Sequence, residues 1–236
     1  MLQQFSSIYS FSPNALDDIT LDEFQRILIE NKKQCLFCKP SSSKKILVET
    51  PHFYVTFDDS PLLEGHLMIH TKVHYGCSGE IAEDQMEEFT LLKDSVKELI
   101  EDIYGSWSFY EHGRAGHCSI SGDEVLCEHF HMHVLPLTID ISSDIKNGFK
   151  EIIFKDVREI PRYYEQYDQY LLYENKDGIH FYPVLDKIPS HFLRTIIAEK
   201  IKKPERSNWE QSTNLEMINT LKQKIKSKYE SSKTVS

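Results

Sequence analysis

The order of the predicted elements indicates an α+β protein built on a mostly antiparallel sheet. Short β-like segments fall at residues 46–49, 53–57, 65–71, 106–112 and 129–138. A long amphipathic helix at about 78–104 separates the third segment from the fourth. Strands that come in groups around one helix, rather than alternating with helices, are typical of α+β folds and not of parallel βαβ arrays.

The first predicted elements are a helix at about 15–31 and two strands. Apolar residues near helical spacing predict the helix, and no residue in it carries evident chemistry. A polar SSSKK segment precedes the strands at 46–49 and 53–57. The sequence Asp58-Asp59-Ser60-Pro61 then predicts a turn that leads into the strand at 65–71.

One apolar stripe defines the long helix. Ser78 is expected to be its N-cap, and the Tyr104-Gly105 pair marks its end. Acidic residues and lysines occupy the opposite face, which is typical of a helix that packs on a core. The stripe consists of Ile81, Met86, Phe89, Leu92, Val96, Leu99, Ile100 and Ile103.

The character of the chain changes after residue 140. Residues 167–173 and 179–184 flank an Asn-Lys-Asp-Gly segment, which predicts a hairpin. Two helices are expected beyond it, at about 190–202 and 211–229. We therefore expect three parts: an N-terminal helical segment at 1–34, a core domain at 35–140, and a C-terminal α/β extension at 141–236 packed on that domain.

Charge and apolar pattern exclude several classes of partner. The 236 residues include 27 Lys and Arg against 37 Asp and Glu, a net charge of −10 that disfavours binding to nucleic acid or acidic membranes. No apolar run approaches the ~20 residues of a membrane span, and the first residues lack the features of a signal peptide. Five cysteines without export features indicate a reducing compartment. We expect a cytoplasmic protein whose cysteines bind metal or stay as thiols.

Three histidines alternate in one strand-like segment. His129, His131 and His133 are separated by Phe130 and Met132. Alternation on a strand places all three imidazoles on one face, with their Cα atoms about 6.6–7 Å apart. Burying three titratable rings side by side requires a metal, an anion or a hydrogen-bond network. This segment is therefore the strongest candidate for a functional site.

A second histidine cluster and a cysteine pair lie upstream. His66 is expected to begin the strand at 65–71, and His74 to lie just beyond its end. The Cys35-x-x-Cys38 pair is compatible with a zinc site, a redox pair or coincidence, although a thioredoxin-like site needs a βαβ context that is missing. Cys38 lies 36 residues before His74 and 91 before His129, which excludes a local zinc finger and permits a long-range Cys₂His₂ site.

These motifs together resemble the histidine triad (HIT) superfamily. The resemblance is carried by the HφHφHφφ string from His129 to Leu135, the PxxxGH segment from Pro61 to His66, and the CxxC pair. That superfamily includes nucleotide hydrolases, diadenosine-polyphosphate hydrolases and phosphorylases, and galactose-1-phosphate uridylyltransferase. The C-terminal part is similar to that of longer bacterial HIT-like proteins. The resemblance implies a HIT-like antiparallel sheet with a long helix. It also implies a homodimer formed through those elements, unless the C-terminal extension blocks or replaces that surface.

The resemblance also implies catalytic and binding roles for individual residues. His131 would be the nucleophile that attacks the α-phosphorus of a nucleotide, His133 would bind the phosphate that is transferred, and His66 would support the triad. Asp58 falls where the family has an acid bonded to ribose hydroxyls. Glu111 and Gly113 fall in an active-site segment, where they would contact the nucleotide. The implied activity is that of a hydrolase or transferase acting on a dinucleoside polyphosphate, a nucleoside phosphoramidate or a similar substrate.

The zinc-bearing members imply a ligand set as well. Their ligands correspond to Cys35, Cys38, His74 and His129. Four such ligands close a tetrahedral zinc site, so the implied zinc is structural and not catalytic.

One departure from the family pattern concerns the phosphate-binding element. Many members carry a Gly-x-Ser shortly before the triad, whereas residues 123–128 read DEVLCE. The alternative to an enzyme is therefore a catalytically reduced nucleotide-binding module with a structural zinc site. Ser119 or Ser121 is the substitute donor that the sequence offers.

Overall fold

One antiparallel sheet organises the protein. The computed structural model describes residues 11–12, 14–30, 35, 37–38, 42–116, 129–146 and 148–233. Within them eight strands join in the order β1-β2-β3-β5-β4-β7-β8-β6, and every pair is antiparallel. The predicted α+β class is confirmed. The strands are β1 (Ile46–Glu49), β2 (Phe53–Phe57), β3 (Leu67–Thr71), β4 (Ser108–Gly113), β5 (His131–Leu135), β6 (Ile152–Phe154), β7 (Tyr170–Asn175) and β8 (Gly178–Pro183).

Six α-helices accompany this sheet in the described part of the chain. They are α1 (Leu21–Glu30), α2 (Met86–Tyr104), α3 (Ser142–Lys146), α4 (Ile160–Tyr167), α5 (Phe192–Lys200) and α6 (Leu215–Lys233). None of these described helices has both the length and the apolar character needed to cross a membrane.

The long helix α2 confirms the predicted stripe and corrects its start. Phe89, Leu92, Val96 and Ile100 are completely buried. Gly105, at φ +79°, ends the helix by donating its N–H to the Glu101 carbonyl, the left-handed cap that glycine favours. The helix begins eight residues later than expected because extended backbone at residues 81–82 separates it from a 3₁₀ turn at Ser78–Glu80.

The sheet has two faces with different roles. We call one the helix face, defined by Phe109, Met132 and Val134, which share a buried core with α2. We call the other the triad face, defined by Tyr110, His131 and His133. Register places them together, because Tyr110 pairs with His133 while Phe109 pairs with Val134.

The strands after residue 140 continue the same sheet. Strand β7 pairs with β4 along its length, from Phe109 opposite Glu174 to Gly113 opposite Tyr170. The predicted β7–β8 hairpin is confirmed, with Asn175 paired to Gly178 at its tip. Helix α5 packs Leu193 and Ile197 into a second buried cluster on the triad face. The C-terminal segment thus supplies sheet and cover to the region that carries the histidines.

Side chains of helix α6 bind the segment before α1, at residues 15–19, and contact the sheet at Phe57. Lys222 is completely buried, and its ammonium donates to the carbonyls of Ala15 (2.5 Å) and Lys44 (2.6 Å) while lying 4.4 Å from the Phe57 ring centre. Burial lowers the pKa of Lys222 to about 8. The amide of Asn219 exchanges hydrogen bonds with the backbone of Ile19. These side chains satisfy backbone groups that would otherwise be buried without partners.

Replacing Lys222 by methionine tests this attachment. The variant keeps the chain length but leaves two buried carbonyls without their donor, so we expect Lys222→Met to lower the free energy of unfolding by about 2 kcal/mol in urea. Lys226→Met removes an exposed lysine from the same helix and is expected to change it by less than about 0.5 kcal/mol. Equal effects of the two substitutions would contradict a specific role for Lys222.

Candidate functional site

Three strands assemble the histidines on the triad face. Strand β5 lies between β3 and β4, with His131 opposite His70 and His133 opposite Tyr110. Met132 and Val134 point the other way and are completely buried. The alternation expected from the sequence is therefore observed. His129 lies just before β5 and is 1% exposed.

Cys35, Cys38, His74 and His129 lie close enough to hold a metal ion. Their four potential ligand atoms are all within 4.8 Å of one another. Nδ1 of His129 is 3.2 Å from Nδ1 of His74, 3.4 Å from Sγ of Cys38 and 3.6 Å from Sγ of Cys35. A tetrahedron with metal–nitrogen bonds near 2.05 Å and metal–sulfur bonds near 2.3 Å has nitrogen–nitrogen edges of about 3.3 Å and nitrogen–sulfur edges of about 3.6 Å. These three separations lie within about 0.2 Å of those edges, and Sγ of Cys38 lies closer to Nδ1 of His74, at 3.1 Å.

The surroundings of His129 also fit a metal ligand. Its Nε2 donates to the carbonyl of Thr71 at 2.7 Å, which fixes the proton on Nε2 and leaves the lone pair on Nδ1. Nδ1 is the atom that faces the two thiols and His74. The backbone around β3 thus selects the tautomer that metal binding requires.

The ring of His131 is oriented by the backbone of that ligand. Its Nδ1 lies 2.8 Å from the carbonyl oxygen of His129, so Nδ1 carries the proton and Nε2 keeps the lone pair. Burial lowers the pKa of His131, which favours the neutral ring. The Phe37 ring, from the turn between the cysteines, lies 4.8 Å from the His131 ring and 4.5 Å from the His70 ring.

A chain of hydrogen bonds sets the tautomer of His133. The backbone N–H of Leu62 donates to Nδ1 of His66 at 3.1 Å, so His66 carries its proton on Nε2. That Nε2–H donates to Nδ1 of His133 at 2.9 Å, which leaves the His133 proton on Nε2. The Tyr110 ring stacks on His133 with centroids 4.2 Å apart. We call this chain the His66–His133 relay.

A buried acid lies beside the relay. Asp58 is 6% exposed, and its carboxylate accepts from the Ser60 N–H at 2.7 Å. The same carboxylate lies 3.3 Å from Nδ1 of His66 and 3.6 Å from the Arg194 guanidinium. Burial alone would raise the pKa of Asp58, but His66, Arg194 and the Ser60 amide together bring it below its ordinary value. Burial lowers the pKa of His66 to about 4, so that ring is neutral near pH 7.

Asp58, His66 and His133 also lie within metal-binding distance of one another. Two features indicate that these three residues form a hydrogen-bonded network and not a second metal site. The two imidazoles already bond directly to each other, and the Arg194 cation next to the carboxylate opposes another positive charge.

Glu111 is not brought together with the triad. It follows Tyr110 on β4 and therefore points to the helix face, where its carboxylate accepts from the Ser78 N–H (2.8 Å), the Ser78 hydroxyl (2.5 Å) and the Tyr170 hydroxyl (3.0 Å). Burial raises the pKa of Glu111 to about 7. Ser78, expected to cap the long helix, is instead occupied by this bond. The expected nucleotide contact would require Glu111 to lie on the triad face, whereas it lies on the helix face.

Gly113 packs against an aromatic ring on the helix face. A Cβ at this position would lie 2.2 Å from Cζ of Tyr170. That contact accounts for a glycine at 113 without any ligand.

Three further residues lie at this site without a role predicted from the sequence. Nε2 of His70 forms a hydrogen bond with the Thr56 hydroxyl at 2.9 Å. Nε2 of His112 accepts a hydrogen bond from the Leu193 N–H at 3.0 Å. Arg194 enters from α5, far along the chain. Period-two alternation places His112 on the face of Tyr110, a signal that the sequence contains; nothing local marks Arg194. The segment with Ser119, Ser121 and residues 123–128 lies outside the described residues.

Comparison with known families adds one decisive match. The model of a family described as proteins similar to the CwfJ C-terminal region matches residues 23–150, more than half of the chain. The chain belongs to this family. The match spans the cysteine pair, β1 to β5 and the triad, and so covers every residue of the metal cluster and the relay; Arg194 lies outside the matched residues.

Other comparisons of this CwfJ C-terminal-like chain are more distant. No curated protein matches it. Among solved structures, a hypothetical histidine triad nucleotide-binding protein from Sulfolobus tokodaii strain 7 is similar at 15% identity and a TM-score of 0.35. The similarity covers 88% of this chain and 91% of that one.

The metal cluster predicts a measurable metal content. We expect about one divalent ion per chain in protein purified without chelator, because two thiols and two imidazoles within 4.8 Å of one another can close a four-coordinate site. Cys38→Ser removes one ligand and should lose most of the metal, as measured by elemental analysis. Cys118→Ser removes a thiol outside the proposed ligand set and should retain it. Metal-free wild-type protein would contradict the site.

The contact at Gly113 predicts a cost in stability. Gly113→Ala forces a methyl group into the Tyr170 ring and should lower the free energy of unfolding by about 1–3 kcal/mol. Gly148→Ala is the control, because a Cβ there would meet nothing within 4 Å. If thermal or urea unfolding is unchanged by Gly113→Ala, the packing explanation fails.

Proposed function

We propose that this CwfJ C-terminal-like protein is a nucleotide hydrolase or nucleotidyltransferase that acts at the α-phosphate through a nucleotidyl-histidine intermediate on His131. The observation that carries the proposal is the pair of hydrogen-bond patterns on β5, which assign opposite tautomers to two histidines. His131 presents an unprotonated Nε2, and His133, two residues along the same face, presents a protonated Nε2. A nucleophile and a hydrogen-bond donor side by side are what phosphoryl chemistry needs.

The reaction that this pair would perform has two displacements. In the first, Nε2 of His131 attacks the α-phosphorus, a P–N bond forms, and the bond from phosphorus to the leaving group breaks with its electron pair going to that group. In the second, water attacks the phosphorus and loses a proton, and the P–N electron pair returns to Nε2. A phosphate acceptor in place of water gives transfer. Each displacement is easier than direct hydrolysis, because imidazole is both a good nucleophile and a good leaving group near pH 7.

The relay would stabilise the charge that develops on phosphorus. His133 would donate its Nε2–H to a non-bridging phosphate oxygen, while its Nδ1 is held by the Nε2–H of His66. Stacking of Tyr110 on the His133 ring restricts its rotation. The donor is therefore pre-oriented before any substrate binds, which is the condition for effective electrostatic stabilisation.

We assign the metal as zinc with a structural role. Two thiolates and two imidazoles gathered this closely are the ligand set that zinc prefers, and four protein ligands leave no open position for substrate. When bound, zinc would hold the turn at Cys35 and Cys38 against the start of β5. A cytoplasmic location would keep both thiols reduced and available as ligands.

The substrate class follows from the attacking atom. Attack at an α-phosphorus suits a dinucleoside polyphosphate, a nucleoside phosphoramidate or a related nucleotide derivative. Asp58, assigned to ribose by resemblance, has its carboxylate turned to Ser60, His66 and Arg194. We therefore propose that Asp58 supports the relay.

Trapping the intermediate tests the proposal. Metal-loaded protein is mixed with α-³²P-labelled dinucleoside polyphosphate, or with a labelled nucleoside phosphoramidate, and quenched in base, where a P–N bond survives. We expect a labelled protein band in the wild type, and a fall in turnover on the order of 10³-fold or more with no band for His131→Ala. His52→Ala removes a half-exposed histidine paired with Glu88 and is expected to behave like the wild type.

Two outcomes would decide against an enzyme. Absence of the adduct, together with turnover unaffected by His131→Ala, would overturn the proposed chemistry. If calorimetry then still detects nucleotide binding, the protein is the catalytically reduced nucleotide-binding module that residues 123–128 suggest by their lack of a Gly-x-Ser.

A further inference from the structure

The buried carboxylate of Asp58 requires a counter-charge. An ionised acid that is almost completely buried is strongly destabilised unless a cation or several hydrogen bonds compensate it. The groups that face it are the Ser60 amide, the rings of His66 and His133, and the guanidinium of Arg194. Only a protonated histidine or Arg194 supplies positive charge at this distance among the described residues.

The backbone of Leu62 decides between those two cations. Its N–H donates to Nδ1 of His66, so that nitrogen carries a lone pair while this bond holds, and a proton there would require the bond to break in favour of Asp58. The His66 ring is therefore neutral although its Nδ1 lies 3.3 Å from the Asp58 carboxylate. Arg194 is left as the counter-ion.

Arg194 is built into this position. It is 4% exposed, its Nη2 donates to the Ser60 carbonyl at 2.6 Å, and its Nε donates to the Arg206 carbonyl at 3.0 Å. Nη1 remains directed at Asp58, 3.6 Å away. The planar guanidinium is thus held by two backbone carbonyls on one side and the carboxylate on the other, a geometry that arginine's fork of donors provides.

We infer that Arg194, supplied by the C-terminal segment, is a positioning residue of the active site that keeps His66 neutral and its Nε2–H directed at His133. Its catalytic meaning rests on the proposed function; its effect on His66 does not. The other titratable groups that face His66 are Tyr110 and His131, and Lys45 lies behind Asp58 through its ion pair with Asp59. None of them contacts the Asp58 carboxylate as Arg194 does. The segment after residue 140 would therefore contribute to the chemistry, through Arg194, as well as to the sheet.

The protonation pattern of His66 tests this inference directly. Full-length, metal-loaded protein is labelled with ¹⁵N-histidine, and the His66 signals are assigned by comparison with His66→Gln. In the wild type at neutral pH we expect Nδ1 to be unprotonated and Nε2 protonated. In Arg194→Gln the carboxylate loses its counter-ion, so we expect Nδ1 of His66 to take up a proton and to donate it to Asp58 in place of accepting from Leu62, which leaves both nitrogens protonated. Lys200→Gln removes an equal charge from the same helix, where Lys200 pairs with half-exposed Asp144, and should keep the wild-type pattern.

Activity gives a second readout. Because a charged His66 alters the relay and not the entry of substrate, Arg194→Gln should slow adduct formation by about 10²-fold with little change in KM. A purely structural role would lower stability without changing the His66 signals.

Two results would overturn the inference. One is a folded Arg194→Gln protein whose His66 signals match the wild type; the other is wild-type His66 that already carries protons on both nitrogens. If Arg194→Gln does not fold, Asp58→Asn/Arg194→Gln removes the carboxylate as well and should recover stability and the neutral His66. A double variant no more stable than the single one would also count against the pairing. Failure of the proposed function is distinguishable, since it appears as a wild type without adduct whatever the His66 pattern.

Discussion

Strand β5 is hydrogen-bonded on both sides, and the arrangement of the site depends on that double pairing. Pairing with β3 places His131 opposite His70, and pairing with β4 places His133 against Tyr110. A shift of one residue in either register would exchange the two faces and send both imidazoles into the core around α2. Met132 and Val134 prevent such a shift, because their burial against the helix face is lost if the strand slips.

The same strand links the metal cluster to the histidine chemistry through very short connections. His129 faces the cysteines with Nδ1, and its own carbonyl orients His131 two residues later. The backbone carbonyl of a proposed metal ligand, His129, therefore fixes the ring orientation of the proposed nucleophile, His131. On the other side, His133 takes its orientation from Leu62 through His66. The two neighbouring imidazoles are thus set in opposite tautomers by two independent backbone groups.

The features that can be predicted from the sequence are those with a helical or strand-like repeat over neighbouring residues. Alternation over residues 129–135 is enough to place three histidines on one side of a strand, and the apolar stripe of α2 is equally local. The side of β4 on which Glu111 lies depends on which β4 residue pairs with His133, and the register between two strands is not set by the pattern within either one. Serine is a residue type that often caps helices, but Ser78 instead donates its N–H and hydroxyl to the Glu111 carboxylate. Arg194 lies 136 residues after Asp58, and no local pattern connects the two. Strand β6 and helices α3 and α4 lie in a stretch whose apolar residues follow neither period clearly.

The attachment of α6 has a consequence for the order in which the protein forms during synthesis. The ammonium of Lys222 reaches carbonyls that are 207 and 178 residues earlier in the chain. On a ribosome those early carbonyls emerge long before their donor, and β4 likewise waits for β7 to complete its pairing. Contacts of such long sequence separation close late and slowly. Until β7 is made, the nascent chain therefore exposes the unpaired edge of β4, and unpaired strand edges favour aggregation.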